Sequence, residues 1–204
     1  MDIKLIKSKF LYGSFDQNTY VISNDKEVVI IDAGAELEDL KQEIKDKKVL
    51  AILITHLHFD HIFNIEKLLN EFGCPVYIVK GANDKLTNSL KNASFLISQN
   101  MTFNIPNDSL KYYSENLTLG SFDFQIFETP GHSSDCVCIL IEDKLFTGDT
   151  VFYKSFGRTD LYDSDADKME ESIRKILNIP FKIAYPGHSI SFDKSVLKET
   201  FFMF

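Results

Sequence analysis

The sequence predicts an α/β protein, a layered fold with helices outside and sheet inside, and three observations carry that expectation. Strand-like and helix-like patterns alternate in both halves of the chain. The run VLAILIT, Val49 to Thr55, is almost continuously apolar, as in strands covered on both faces. Three further apolar strands each run into a glycine and then a ligand-capable side chain: Gly131-His132, Gly148-Asp149 and Gly187-His188.

In chain order, NTYVI (Asn18 to Ile22) and EVVIIDAG (Glu27 to Gly34) flank the turn residues of SNDK and read as a hairpin. Glu36 to Lys48 turns helical before the buried strand VLAILIT. A helix-period stretch follows at Ile62 to Phe72, then the strand PVYIVK at Pro75 to Lys80. Gly81 to Gln99 is mixed and reads as a short helix with a polar face. Strands dominate afterwards: SLKYYS, LTLGSFDFQIFETPG, CVCILIED and KLFTGD. Asp167 to Leu177 has an acidic first turn and apolar Met169, Ile173, Ile176 and Leu177, which suits a helix, and FKIAYPGH closes the sheet. No linker or repeat interrupts the pattern, so residues 1–204 are expected to form one domain.

Composition excludes several classes of function. Of 204 residues 44% are hydrophobic and 25% charged, with 9 Gly and 5 Pro, which opposes disordered and low-complexity chains. The 22 basic residues, 20 of them Lys, stand against 30 acidic ones for a net charge of −8. A nucleic-acid partner is not expected, because binding one rests on neutralising phosphates. Met1 to Phe10 carries charges through its apolar stretches and no small-residue cleavage site, so no signal peptide is read there. VLAILIT falls far short of the roughly 20 residues that span a bilayer. Cys74, Cys136 and Cys138 are an odd, unpatterned set, which favours a reducing cytoplasm, and Cys136 and Cys138 in the run CVCILI are expected to be plain core packing.

The chemistry gathers around the histidines. The chain has five, His56, His58, His61, His132 and His188, and three of them lie in Thr55-His56-Leu57-His58-Phe59-Asp60-His61. This segment leaves the carboxyl end of a buried strand, where α/β folds bind ligands. His56 and His58, at i and i+2, point the same way in an extended loop, and Asp60 and His61 turn toward a neighbouring point. Imidazole and carboxylate are ligands for zinc and other first-row divalent ions. Grouped by reach, His56, His58 and His132 make one set and Asp60, His61 and His188 another, with Asp149 between them: a dinuclear metal site. Seven such residues in a buried cluster would be costly without a metal.

THLHFDH, with GHSS at Gly131 to Ser134, TGDT at Thr147 to Thr150 and PGHS at Pro186 to Ser189, resembles the metallo-β-lactamase superfamily over most of the chain. The resemblance implies a four-layer αββα sandwich and metal-ligand roles for His56, His58, Asp60, His61, His132, Asp149 and His188. Asp60 and Asp149 would also serve catalysis beside the attacking water. Asp32, in VVIIDAG, matches an early family position that supports the ligands rather than holding metal. The commonest β-lactamases carry Cys where Asp149 stands and flavodiiron proteins carry Glu where His58 stands, so neither pattern fits.

The segment TGDTVFYKSFGRTDL, Thr147 to Leu161, resembles the glyoxalase II-like thioesterases, in which GRTDL recurs. That implies metal-assisted hydrolysis of a small thioester with two divalent ions, zinc first and iron or manganese as substitutes. It also makes Arg158 the expected contact for a substrate carboxylate. Tyr153 and Phe156, with Phe152, are expected to wall the substrate. Sixteen residues, 189–204, follow His188, so the extra helical region that full-length glyoxalase II uses to hold glutathione is not expected. The rival readings are a mononuclear-iron persulfide dioxygenase of the same superfamily and a non-catalytic metal-binding module. The apolar tail Phe201 to Phe204 is expected to dock on its own domain.

Overall fold

The apolar runs become the strands of two sheets in a computed structural model that describes residues 1–9 and 16–201. The chain divides into two units, Met1–Tyr113 with Leu119–Ser121 and Ser114–Thr118 with Phe122–Phe204.

In the first unit β1 (Asp2–Lys7), β2 (Asn18–Ser23), β3 (Glu27–Ile31), β4 (Lys48–Leu53), β5 (Val76–Ile78) and β6 (Leu110–Tyr112) lie side by side in chain order. β1, β2 and β3 pair antiparallel, confirming the expected hairpin, and β3 to β6 pair parallel. The parallel part requires crossovers: α1 (Leu37–Ile44) leads from β3 to β4, α2 (Phe59–Ile62) and α3 (Ile65–Phe72) lead from β4 to β5, and two 3-10 turns lie between β5 and β6. α1 stops four residues earlier than the sequence pattern suggested. Lys45 takes φ 55, a left-handed conformation that ends the helix, and the chain enters β4. The expected helix at Ile62 to Phe72 starts only at Ile65. Asn64 interrupts it, because its side-chain amide donates to the carbonyls of Gly34 (3.0 Å) and Ala35 (3.1 Å) in the loop after β3. Two 3-10 turns, Asn83–Thr87 and Ser94–Ile97, stand where one short helix was expected.

The second unit contains β7 (Asn116–Leu119), β8 (Phe122–Glu128), β9 (Val137–Ile141), β10 (Lys144–Gly148), the small hairpin β11 (Val151–Phe152) and β12 (Ser155–Phe156), α4 (Ala166–Asn178), β13 (Ile183–Pro186), β14 (Phe192–Asp193) and α5 (Lys194–Thr200). Its sheet order is β14-β13-β10-β9-β8-β7. β8 alternates, with Phe122, Phe124 and Ile126 buried and Asp123 and Gln125 exposed, whereas β9 is buried at every position. The carboxylate of Asp165 accepts from the backbone N–H groups of Asp167 and Lys168 and starts α4. α4 then buries Met169, Ile173 and Ile176 against Cys138 and Leu140 of β9, Leu145 of β10, Ala184 of β13 and Leu197 of α5. Truncating Ile173, only 1% exposed, is expected to cost about 2–5 kcal/mol through lost burial plus the cavity left behind. Urea unfolding of Ile173→Ala, read as a lower midpoint at constant slope, checks this.

The three cysteines are buried and joined by no disulfide. Burial pushes the thiols of Cys74 and Cys138 up to about 11, so both stay protonated and act as small apolar core groups. No helix among the described residues is long and apolar enough to cross a membrane. Of the apolar tail, Phe201 is buried with its ring 5.8 Å from that of Phe156; residues 202–204 lie outside the described residues.

Strand direction decides where the chemistry appears. β3 and β4 are parallel neighbours, so Asp32 and Thr55 leave the sheet at the same edge, with the Asp32 N–H on the Leu53 carbonyl at 2.9 Å. In the second unit β8 and β10 are each antiparallel to β9, and β13 is parallel to β10. The ends of β8, β10 and β13 therefore deliver His132, Asp149 and His188 to one edge of that sheet.

Candidate metal centre

Each unit builds a cluster of imidazoles and carboxylates, buried throughout except at His188, which is half-buried. In the first, His56 and His58 precede α2, with His58 on extended backbone, and their rings are 4.5 Å apart. α2 begins at Phe59 and changes the chain's direction, bringing the His61 ring to 4.1 Å from that of His56. The Asp60 carboxylate stands 3.8 Å from His61 Nε2. His56, His58, Asp60 and His61 are all buried. Ligand atoms in the pairs His56 with His58, His56 with His61, and Asp60 with His61 fall within 4.8 Å of each other, close enough for a shared metal centre.

Asp32 supports this cluster from behind. Its carboxylate receives His61 Nδ1 at 2.7 Å, the Thr55 backbone N–H at 2.7 Å, the Thr55 hydroxyl, and Gln17 Nε2 at 3.3 Å. A carboxylate only accepts, so His61 carries its proton on Nδ1 and turns the Nε2 lone pair outward. The loop is fixed from the other side as well: the His61 carbonyl accepts from the Ala33 N–H at 2.7 Å. Gly34 has no room for a side chain, since a Cβ there would stand 2.3 Å from Gln17 Oε1 and 2.5 Å from the Asp60 carbonyl.

The second cluster centres on Asp149. Its Oδ2 lies 3.5 Å from His132 Nε2 and 3.4 Å from His188 Nε2. The turns before His132 and Asp149 use left-handed φ at Gly131 (150°) and Gly148 (48°), as the strand-glycine-ligand pattern suggested. At the third turn the left-handed residue is Ser189 (φ 72°), and the Gly187 N–H donates instead to the Gly148 carbonyl at 2.8 Å. His132 Nδ1 donates to the Arg158 carbonyl at 2.9 Å, which again leaves the ring's lone pair on Nε2. Ser164 donates its hydroxyl proton to the His132 carbonyl at 2.7 Å.

The segment GRTDL thus acts partly through its backbone. Gly157 packs so tightly that a Cβ would stand 1.9 Å from the Asp149 carbonyl. The Arg158 guanidinium is engaged by both oxygens of Asp160, at 2.7 and 2.8 Å, so its expected contact with a substrate carboxylate would require exchange with Asp160. That pairing raises the Arg158 pKa and lowers that of Asp160. Phe152 meets the His188 ring edge-on at 6.1 Å. Tyr153 and Phe156 stay 38% and 41% exposed, available as apolar surface. Gln17, Gly34, Asn64 and Gly157 were not singled out by the sequence. Two glycines beside ligand-bearing segments were the available signal; the two amides gave none.

The donor set fits divalent metal: imidazoles with the lone pair of Nε2 fixed, beside buried carboxylates, with no thiolate or amine among them. Comparison with known proteins agrees. Residues 12–188 match the sequence model of the metallo-beta-lactamase superfamily. A protein of Streptococcus pyogenes named as a probable metallo-hydrolase is 32% identical, over 86% of this chain and 80% of its own length. Among solved structures, BLEG-1, a B3 metallo-beta-lactamase, shares 36% identity with a TM-score of 0.88 over 97% of both chains. TTHA1623, solved in a di-iron-bound form, shares 27% with a TM-score of 0.78, over 92% of this chain and 95% of that one. Fold and donor set together define an α/β protein of the metallo-β-lactamase type. The chain belongs to the metallo-beta-lactamase superfamily.

Proposed function

We propose that the chain is a metal-dependent hydrolase of the glyoxalase II-like kind, cleaving a glutathione-type or other small thioester. Its ligands are the two sets read from the sequence, for two divalent ions, with zinc the first choice and iron or manganese as substitutes. The observation that carries the reading is the pair of imidazoles, His61 and His132, whose Nδ1 protons are committed to Asp32 and the Arg158 carbonyl. When bound, two such ions would bring the pKa of a water toward neutrality and offset charge on a carbonyl oxygen. The chain's own residues supply the rest. Asp60 and Asp149 are the carboxylates able to accept the water's proton. Phe152, Tyr153 and Phe156 offer an apolar wall for the acyl or thiol part. A thiol leaving group of pKa about 8.5 departs as thiolate without a separate acid. That agrees with all five histidines being taken up in the two clusters. Three buried thiols with no disulfide among them suit a reducing cytosol.

A second reading is favoured by the similarity to BLEG-1, named as a β-lactamase: opening of a β-lactam amide by the same centre. One experiment separates the readings. Metal content is measured on protein purified without added metal, beside turnover of S-lactoylglutathione, of a chromogenic cephalosporin, and of glutathione persulfide with oxygen uptake recorded. About two zinc ions per chain with thioester cleavage is the expected result. A single iron with oxygen uptake makes the protein a persulfide dioxygenase; cephalosporin turnover alone makes it a β-lactamase. Bound metal with no turnover of any of the three makes it a metal-binding module.

A further inference from the structure

Thr55 stands at the end of the strand run that delivers the ligands, and its hydroxyl is committed in two directions. Oγ1 lies 3.0 and 2.9 Å from the two carboxylate oxygens of Asp32 and 3.3 Å from Nδ1 of His56. A hydroxyl has one proton to give, and a carboxylate has none. Placing the Thr55 lone pairs against Asp32 at these distances would be repulsive, so the hydroxyl proton goes to Asp32. Toward His56 the oxygen can then only accept, which puts the His56 proton on Nδ1 and presents the Nε2 lone pair. Asp32 accepts the Nδ1 proton of His61 in the same way at 2.7 Å. The result is an unbroken chain: His56 Nδ1–H to Thr55 Oγ1–H to Asp32, with His61 Nδ1–H arriving from the other side. All four residues are buried. The backbone N–H of Thr55 holds the same carboxylate independently at 2.7 Å, so Asp32 keeps its place if the hydroxyl is removed.

We propose that Thr55 is a positioning residue that locks the tautomer of His56 and, through Asp32, ties one ligand of each proposed ion into a single hydrogen-bonded unit, so that the two metal positions fill and empty together. The tautomer lock stands on the hydrogen bonds alone; the coupling rests on the dinuclear reading above. Asp149 is the obvious route for communication between two ions. Thr55 adds one that runs behind the ligands through buried groups.

The test compares the full-length wild type with Thr55→Val, which keeps the shape and loses the hydroxyl, and Thr55→Ser, which keeps the hydroxyl. Imidazole 15N shifts of His56, recorded before zinc is added, report which ring nitrogen carries the proton. The wild type and Thr55→Ser are expected to show Nδ1–H, and Thr55→Val a mixture of tautomers. Zinc removal by a graded chromophoric chelator then reads the coupling. Wild type and Thr55→Ser should release two ions in one step, and Thr55→Val in two, its weaker ion bound about 10–100-fold less tightly. Retention of a pure Nδ1–H tautomer in Thr55→Val overturns the lock. A single step in Thr55→Val, or two steps in the wild type, overturns the coupling. A wild type that binds only one ion would instead refute the dinuclear reading and the coupling with it, while the 15N shifts still judge the lock. If Thr55→Val does not fold, Thr55→Ser and wild type still decide: a mixed tautomer in either defeats the proposal.

Discussion

Asp149→Ala is expected to lose both ions together, with metal affinity reduced by more than about 100-fold and hydrolysis falling to background. The size of the effect follows from position. One carboxylate oxygen lies within 3.5 Å of His132 Nε2 and within 3.4 Å of His188 Nε2, and the residue is only 7% exposed. A group so buried is not cheaply replaced by an anion from solvent. Deleting the carboxylate leaves two imidazoles facing one another with nothing negative between them, whereas removing an outer supporting group typically costs 10–100-fold. Asp149→Asn is the informative partner, because it keeps volume and one acceptor oxygen while removing the charge. Metal content after dialysis against buffered zinc, with turnover on the same samples, checks both variants. Full metal content and full rate in Asp149→Ala would show that Asp149 does not bridge. The alanine variant adds no buried charge, so its metal-free form should remain folded by circular dichroism, which separates ligand loss from unfolding.

The clustered imidazoles and carboxylates were legible in the sequence and much of their support was not, for a physical reason. Ligand chemistry is written in residue type: His56, His58, Asp60 and His61 are close in sequence, and the strand-glycine pattern marks His132, Asp149 and His188. Strands buried on both faces, such as β4 and β9, were equally plain, since a continuous apolar run is stable in water only where both of its faces are covered. β1 carried no such mark. Its DIKLIK run exposes most of its residues at the edge of the sheet and has no clean alternation, so its identity comes from pairing with β2 rather than from its own pattern. β14 and α5 are short elements, of two and seven residues, held by neighbours in the second unit's core. The break before α3 depends on what the Asn64 amide finds in the loop after β3, a contact between residues about thirty apart.

Arg158 shows the limit most clearly. Its side chain suggested a substrate contact, and the structure places the guanidinium on Asp160. The carbonyl of Arg158 meets the site as well, on His132. Every residue type possesses a carbonyl, so side-chain chemistry could not single this one out. Only the fold, which bends the chain at Gly157 and passes residue 158 behind His132, creates that role.

Gly157→Ala should accordingly be the most damaging single-methyl change in the second cluster. The added Cβ would stand 1.9 Å from the Asp149 carbonyl oxygen, 2.9 Å from His132 Cβ and 3.0 Å from His132 Cγ. No real Cβ contact survives at 1.9 Å, and the first obstacle is backbone, which cannot rotate away as a side chain would. The chain must shift at Asp149, at Gly157, or at both, and each alternative damages a ligand. Moving the 149 backbone drags its carboxylate from His132 and His188. Moving the 157 segment withdraws the Arg158 carbonyl from His132 Nδ1, releasing the ring from its fixed tautomer. Overpacking of this kind typically costs about 1–3 kcal/mol in stability. The functional cost should be larger, because misplacement of reacting groups by about 1 Å can cost about 100-fold in rate. Metal titration and turnover of Gly157→Ala, set beside Arg158→Ala, provide the check. Arg158→Ala keeps the carbonyl and is expected to bind metal as the wild type does, whereas Gly157→Ala is expected to bind it at least about 10-fold more weakly. Equal metal affinity in the two variants would mean that the GRTDL segment does not hold the ligands. Weaker binding in Arg158→Ala alone would return the role to the guanidinium.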